Sequence, residues 1–230
     1  MKRWFEALGC AIEGILIASK TERHLKFHLN VAVALLILCL IFGINRWEFV
    51  ILILMATIVI TAELFNSAVE SVVDIISPQK QDGARMAKDI AAGAVLVPSV
   101  VSLVAAYFIL KPYVIGFYLN GVKIARHSGG DIAVAAVIII MILVIIIKSY
   151  LGKEHPLKGG MPSGYTALAF SISVSVTIIY QGALVLIISF IAALLIALSR
   201  IISQARLFRE VFAGAVLGSV VTLILFKMFY

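Results

Sequence analysis

Between Ala62 and Asp74 the chain reads AELFNSAVESVVD, directly after a long apolar run. This stretch limits the possible folds more than any other. Glu63, Asn66 and Glu70 fall at i, i+3 and i+7, one face of a helix. Carboxylates at the end of a membrane-grade apolar segment are costly to keep there. A single Glu would read as a helix end among the headgroups. Three polar groups on one stripe read as a functional site.

Composition sets the solvent. Of 230 residues, 63% are hydrophobic and the mean hydropathy is +1.13. That excludes a soluble domain and predicts an all-α integral membrane protein. The net charge of +7 is then a topology signal first. The basic residues are scattered over short loops, so no nucleic-acid partner is expected. Cys10 and Cys39 give no disulfide framework. The N-terminus, MKRWFEALGC, carries no cleavable signal pattern.

Residues 4–20 have the amphipathic spacing of a helix lying on the membrane surface. Spans are predicted at Leu29–Ile44, Trp47–Ile76 and Ala84–Leu110. At 1.5 Å per residue Glu63 lies ~24 Å and Glu70 ~34 Å along the second helix from Trp47, against a ~30 Å hydrocarbon core. The stripe therefore begins just below one interface and emerges through it. In an antiparallel hairpin, Lys88 and Asp89 come level with that stripe. Gly93 and its Ala neighbours read as a close-packing surface. Polar, Gly and Pro signals cluster at 111–130 and place a boundary there. The division is residues 1–112, a linker at 113–130, and residues 131–230. Four more spans follow near 131–149, 163–180, 182–199 and 209–229. With the N-terminus inside, only Arg46, Lys111, Lys123, Arg126 and Lys227 of the 19 Lys and Arg lie outside. This predicts a plasma (inner) membrane protein with both polar clusters on the cytoplasmic side.

Glu22, Glu63, Asn66, Glu70, Asp74, Lys88 and Asp89 form the first cluster. Phosphoryl transfer to an alcohol needs a base at the hydroxyl, oxygen ligands for Mg²⁺ and cations on the phosphates. Glu63 lies deepest, where a lipid hydroxyl would sit, and Glu70 lies shallower. No Walker A or kinase-type Gly-rich loop occurs, so the soluble kinase architectures are excluded. Spacing alone leaves a membrane site for an anion or a cation as a rival.

KTER at 20–23, AELFNSAVESVVD at 62–74 and AKDIAAGAVLV at 87–97 resemble the prokaryotic diacylglycerol kinase / undecaprenol kinase family. The resemblance covers residues 1–112. It implies a surface helix with a three-span bundle, a homotrimer with composite sites between neighbours, and transfer of phosphate from ATP with Mg²⁺ to a lipid alcohol. By resemblance Glu63 is the general base, and Glu22 and Glu70 are Mg²⁺ ligands. By the same resemblance Asn66, Lys88 and Asp89 position the nucleotide phosphates and the catalytic end of the helix, and Arg3 matches a basic residue of the surface helix. KTER and SPQ look more like the undecaprenol kinases than the diacylglycerol kinases.

In the second half, GMPSG at 160–164 and the SR-x5-R-x3-E frame at 199–210 resemble the type 2 phosphatidic acid phosphatase superfamily. By resemblance Lys148, Ser163, Gly164 and Arg200 are phosphate ligands. Tyr165 stands at the acid histidine, Arg206 at the nucleophilic histidine, Glu210 at its orienting acid, and His155 at the arginine of the first motif. Arg cannot be deprotonated to attack phosphorus. There are also four spans where six are usual. The expectation is an inactive phosphatase-like bundle that binds a phospholipid. A two-headed kinase and phosphatase is the alternative, and Tyr165 and Arg206 argue against it. A channel or transporter is a third reading. It is disfavoured because the polar groups cluster on one side of the bilayer.

Overall fold

The computed structural model describes residues 2–79, 81–120, 125–151, 160–203 and 206–230, with backbone only at 2–6, 8 and 120. All regular structure among them is helical. The helices are α1 (Lys2–Thr21), α2 (Arg23–Phe42), α3 (Arg46–Ile76), α4 (Asp82–Asn120), α5 (Gly129–Leu151), α6 (Gly164–Tyr180), α7 (Ala183–Ile202) and α8 (Phe208–Phe229). Six of them, α2 to α5, α7 and α8, are long and apolar enough to cross a membrane. α6 is apolar but shorter, at 17 residues. The all-α membrane architecture is as expected from composition.

Two compact units divide the chain. One holds residues 21–123 and the other residues 1–20 with 124–230. By its contacts α1 groups with residues 124–230. Ser149 Oγ donates to the Ser19 carbonyl at 2.6 Å, a buried bond. Leu16 is 3% exposed.

Within the unit 21–123, α2 begins six residues earlier than the predicted span. Glu22 stands at its N-cap in extended conformation. Gly43 closes α2 at φ 65°, a left-handed turn that favours glycine. Asn45 then caps α3, its Oδ1 accepting from the Trp47 N–H at 3.0 Å. α3 ends at Ser77, before Pro78.

α4 continues past Leu110 and through the predicted linker start to Asn120. Pro98 and Pro112 both lie inside it, as membrane helices tolerate. Packing holds the extra turns. Tyr113 lies on the cluster around Cys39, Ile44 and Leu52. Its hydroxyl donates to Glu48 Oε2 at 2.5 Å and accepts from the Asn45 N–H at 3.2 Å. Phe117 meets Phe42 edge-on at 5.4 Å.

In the other unit, α6 and α8 touch through glycine. A Cβ at Gly218 would lie 2.0 Å from the Ala167 carbonyl oxygen, and one at Gly214 2.4 Å from that of Ser163. The G-x-x-x-G spacing lets the backbones meet. Thr222 Oγ1 donates to Ser171 Oγ at 2.8 Å beside this seam. The Gly93 run behaves otherwise. A Cβ at Gly93 would meet nothing within 4 Å among the described residues of its own unit.

Candidate functional site

α3 is 31 residues long, about 46 Å at 1.5 Å per residue, and outruns a ~30 Å hydrocarbon core. Its last turns carry the polar stripe. Glu63 is 3% exposed and Ser67 6%, while Asn66 and Glu70 are half-buried. Ser67 Oγ donates to the Glu63 carbonyl and Ser71 Oγ to that of Ser67, each at 2.9 Å. Those hydroxyls are thus satisfied along the helix. Asn66 Nδ2 donates to Glu70 Oε1 at 2.9 Å. Asn66 Oδ1 is buried with no hydrogen-bond partner among the described residues. A buried amide oxygen of that kind is an acceptor waiting for a donor.

The start of α2 comes to the same place. Glu63 lies within electrostatic reach of His24, Glu22 and Glu70. Three predicted residues therefore gather here, with His24 as an unforeseen fourth. His24 stands two residues from Glu22, and that proximity was its only signal. Lys88 lies lower on the hairpin than expected. Its Nζ donates to Asp74 Oδ1 at 2.5 Å, beyond the Glu63–Glu70 stripe. Asp89 faces Arg85 at 3.8 Å, well exposed. Among the described residues no group of three or more His, Cys, Asp or Glu could hold a metal ion. Glu22 and Glu70 offer the hard oxygen donors that suit Mg²⁺, which takes few protein ligands and completes its shell with phosphate and water.

The second polar cluster lies where α5, α6 and α8 meet. Lys148 is 7% exposed and Glu210 3%. Glu210 is held by backbone: Oε1 accepts from the Gly160 N–H at 2.6 Å and Oε2 from the Leu207 N–H at 3.4 Å. Arg206 Nη1 lies 3.7 Å from Glu210 Oε2 and donates to the Gly160 carbonyl at 3.1 Å. Burial pulls the Arg206 pKa below its ordinary value. Glu210 opposes that pull, and the guanidinium stays charged. Arg200 lies over the Tyr165 ring, 4.3 Å from its centre, and its buried Nε has no hydrogen-bond partner among the described residues. Ser163 Oγ is within 3.0 Å of Thr166 Oγ1. Gly164 opens α6 against Val144. The named pocket residues are thus neighbours. His155 lies outside the described residues, as does the side chain of Arg3.

These features define a multi-pass, all-α membrane protein with a carboxylate-rich site at the ends of α2 and α3. Residues 9–110 match the family model of prokaryotic diacylglycerol kinase. An undecaprenol kinase of Bacillus subtilis is 35% identical over 112 residues, 49% of this chain and 91% of the relative. A diacylglycerol kinase of Synechocystis is 32% identical over 43% of this chain and 57% of the relative. One from Pseudomonas aeruginosa is 28% identical over 42% and 79%. The chain belongs to the prokaryotic diacylglycerol kinase family, a family of membrane lipid kinases that use ATP. No solved structure matches it significantly.

Proposed function

We propose that the chain transfers the γ-phosphate of ATP to a membrane lipid alcohol, undecaprenol in preference to diacylglycerol. The observation that carries this reading is the buried Glu63 carboxylate, with Glu22, Asn66 and Glu70 around it in a family of lipid kinases. The preference for undecaprenol rests on KTER, on SPQ and on the relative matched over most of its length.

Glu63 takes the proton of the lipid hydroxyl as its oxygen attacks the γ-phosphorus. The bond from that phosphorus to the bridging oxygen breaks, and ADP leaves. Burial suits Glu63 to this task, since it excludes water that would compete as acceptor. Mg²⁺, when bound, neutralises phosphate charge, and Glu22 and Glu70 would hold it. Asn66, Lys88 and Asp89 position the nucleotide phosphates. The family resemblance makes the working unit a homotrimer. The open space at Gly93 and the exposed faces of α4 leave room for a neighbouring subunit. The positive-inside bias puts the N-terminus and both sites on the cytoplasmic side of the plasma membrane.

Residues 131–230 act as an inactive phosphatase-like module that binds phospholipid through Lys148, Ser163, Gly164, Arg200 and Arg206. Tyr165 and Glu210 complete the pocket, and 113–130 joins it to residues 1–112. The deciding experiment is purified protein with Mg-ATP and a panel of lipid alcohols, with phospholipid products identified. ATP consumption independent of any added alcohol would overturn the kinase reading.

A further inference from the structure

We infer that a cavity against α1 takes the phosphate end of a lipid phosphate monoester, and that α1 is its closing wall. The inference rests on the proposed phospholipid binding by the second half and makes it specific.

The cavity measures about 260 Å³. Ile12, Ile15 and Leu16 of α1 form one apolar wall, and Val144 belongs to the facing one on α5. Lys148, Arg206 and Tyr165 also line it. An apolar chamber with a cationic end is the shape of an amphiphile with an anionic head. Pockets for whole drug-sized ligands run to ~300–1,000 Å³. This one therefore takes the head and first carbons, and the remaining chain lies among lipid tails.

Charge selects the head. Among the described residues, Lys148 and Arg206 line the cavity, Arg200 lies over the lining Tyr165, and one carboxylate, Glu210, faces these cations. Glu210 is engaged by two backbone N–H groups and by Arg206. The excess of two positive charges matches a phosphate monoester, which carries about −1.5 to −2 at pH 7. A phosphodiester headgroup supplies one negative charge and leaves a buried cation unmatched. Arg200, over the ring of the lining Tyr165, adds a third positive charge beside the cavity.

α1 is tied at its C-terminal end by the Ser149–Ser19 bond. Its apolar side chains reach the cavity, so an occupant adds contacts along the helix. Glu22 follows α1 directly in the chain. A phosphorylated lipid in this cavity thus orders the helix that leads into the kinase site.

Cys10 supplies the reporter, since it is exposed on α1 while Cys39 is buried. The full-length Glu63→Gln protein, spin-labelled at Cys10, is placed in nanodiscs of neutral lipid without ATP. Farnesyl phosphate is the probe, with farnesol and phosphatidylglycerol for comparison. Farnesyl phosphate should bind and slow the label, and the other two should not. Lys148→Met should weaken binding by about tenfold or more. Ile15→Trp, which fills the chamber and spares the cations, should do the same. Binding with an unmoved label and normal affinity in Ile15→Trp overturns the role of α1 and leaves phospholipid binding standing. Equal affinity for phosphatidylglycerol overturns selection of the monoester. No binding of any anionic lipid by the native chain sinks the underlying reading as well.

Discussion

Lys88 donates to Asp74 at 2.5 Å, joining the first turns of α4 to the last turns of α3. The Asp74 side chain is 66% exposed and that of Lys88 33%. A pair so open to water contributes about 0.2–1 kcal/mol. Stability alone is a weak reason for these residues. Lys88→Met should therefore leave the melting temperature nearly unchanged and raise the KM for ATP about tenfold, the worth of a charged phosphate contact. Paired calorimetry and kinetics check this. A large drop in melting temperature with normal KM would make the pair a structural staple.

Glu63→Gln keeps the size of the side chain and removes its ability to accept a proton. Turnover should fall by about 10²–10⁴-fold, the usual contribution of a general base, while Mg-ATP binding persists. Near-normal turnover would remove Glu63 from that role.

Glu22 and Glu70 both lie in the electrostatic neighbourhood of Glu63. Each change to Ala should weaken Mg-ATP binding, measured by equilibrium titration over a range of Mg²⁺. If neighbouring subunits share the site, co-assembly of the two inactive variants should restore part of the activity. No rescue at any mixing ratio would argue for a site within one subunit.

The helices were legible because bilayer thickness and apolar run length set them directly. The polar stripe was legible because carboxylates rarely occur in such runs. Periodicity could not give the long-range pairs. Tyr113 sits in a Gly- and Pro-rich stretch that reads as a linker, yet its bond to Glu48 spans 65 residues and carries the helix to Asn120. Counting along an ideal hairpin puts Lys88 level with the Glu63–Glu70 stripe, and the turn pairs it with Asp74. α1 belongs to the first module by family resemblance, and periodicity gives no sign of its bond to Ser149, 130 residues away. Gly93 and Gly218 look alike in sequence, and only the neighbouring backbone tells them apart.

That contrast is itself a test. Gly218→Ala places a Cβ against the Ala167 carbonyl, so α6 and α8 must separate. The expected cost is about 1–3 kcal/mol. Gly93→Ala adds a methyl to open space within the chain and should cost nothing measurable in the isolated subunit. Thermal unfolding of both variants in the same detergent makes the comparison. Equal melting temperatures would mean that the α6–α8 seam yields freely.

Arg206 and Glu210 stand four residues apart at the start of α8, 3.7 Å from each other. A nucleophilic imidazole with its orienting acid would need this same relationship. Arg206 cannot give up its proton to attack phosphorus, and Tyr165 puts a phenol where a leaving alkoxide needs an imidazolium. The native chain should therefore release no phosphate from undecaprenyl phosphate or phosphatidic acid. It should still bind them, because on the proposed reading Lys148, Arg200 and Arg206 would hold an anion whether or not it is cleaved. Tyr165→His combined with Arg206→His supplies an acid and a nucleophile in the same frame, with Glu210 already fixed by Gly160 and Leu207. Low but measurable phosphate release should appear in that double variant and in neither single one. Release by the native chain that survives Glu63→Gln would sink the inactive-module reading. Binding lost in the double variant without any gain of release would show that Arg206 serves the phosphate alone.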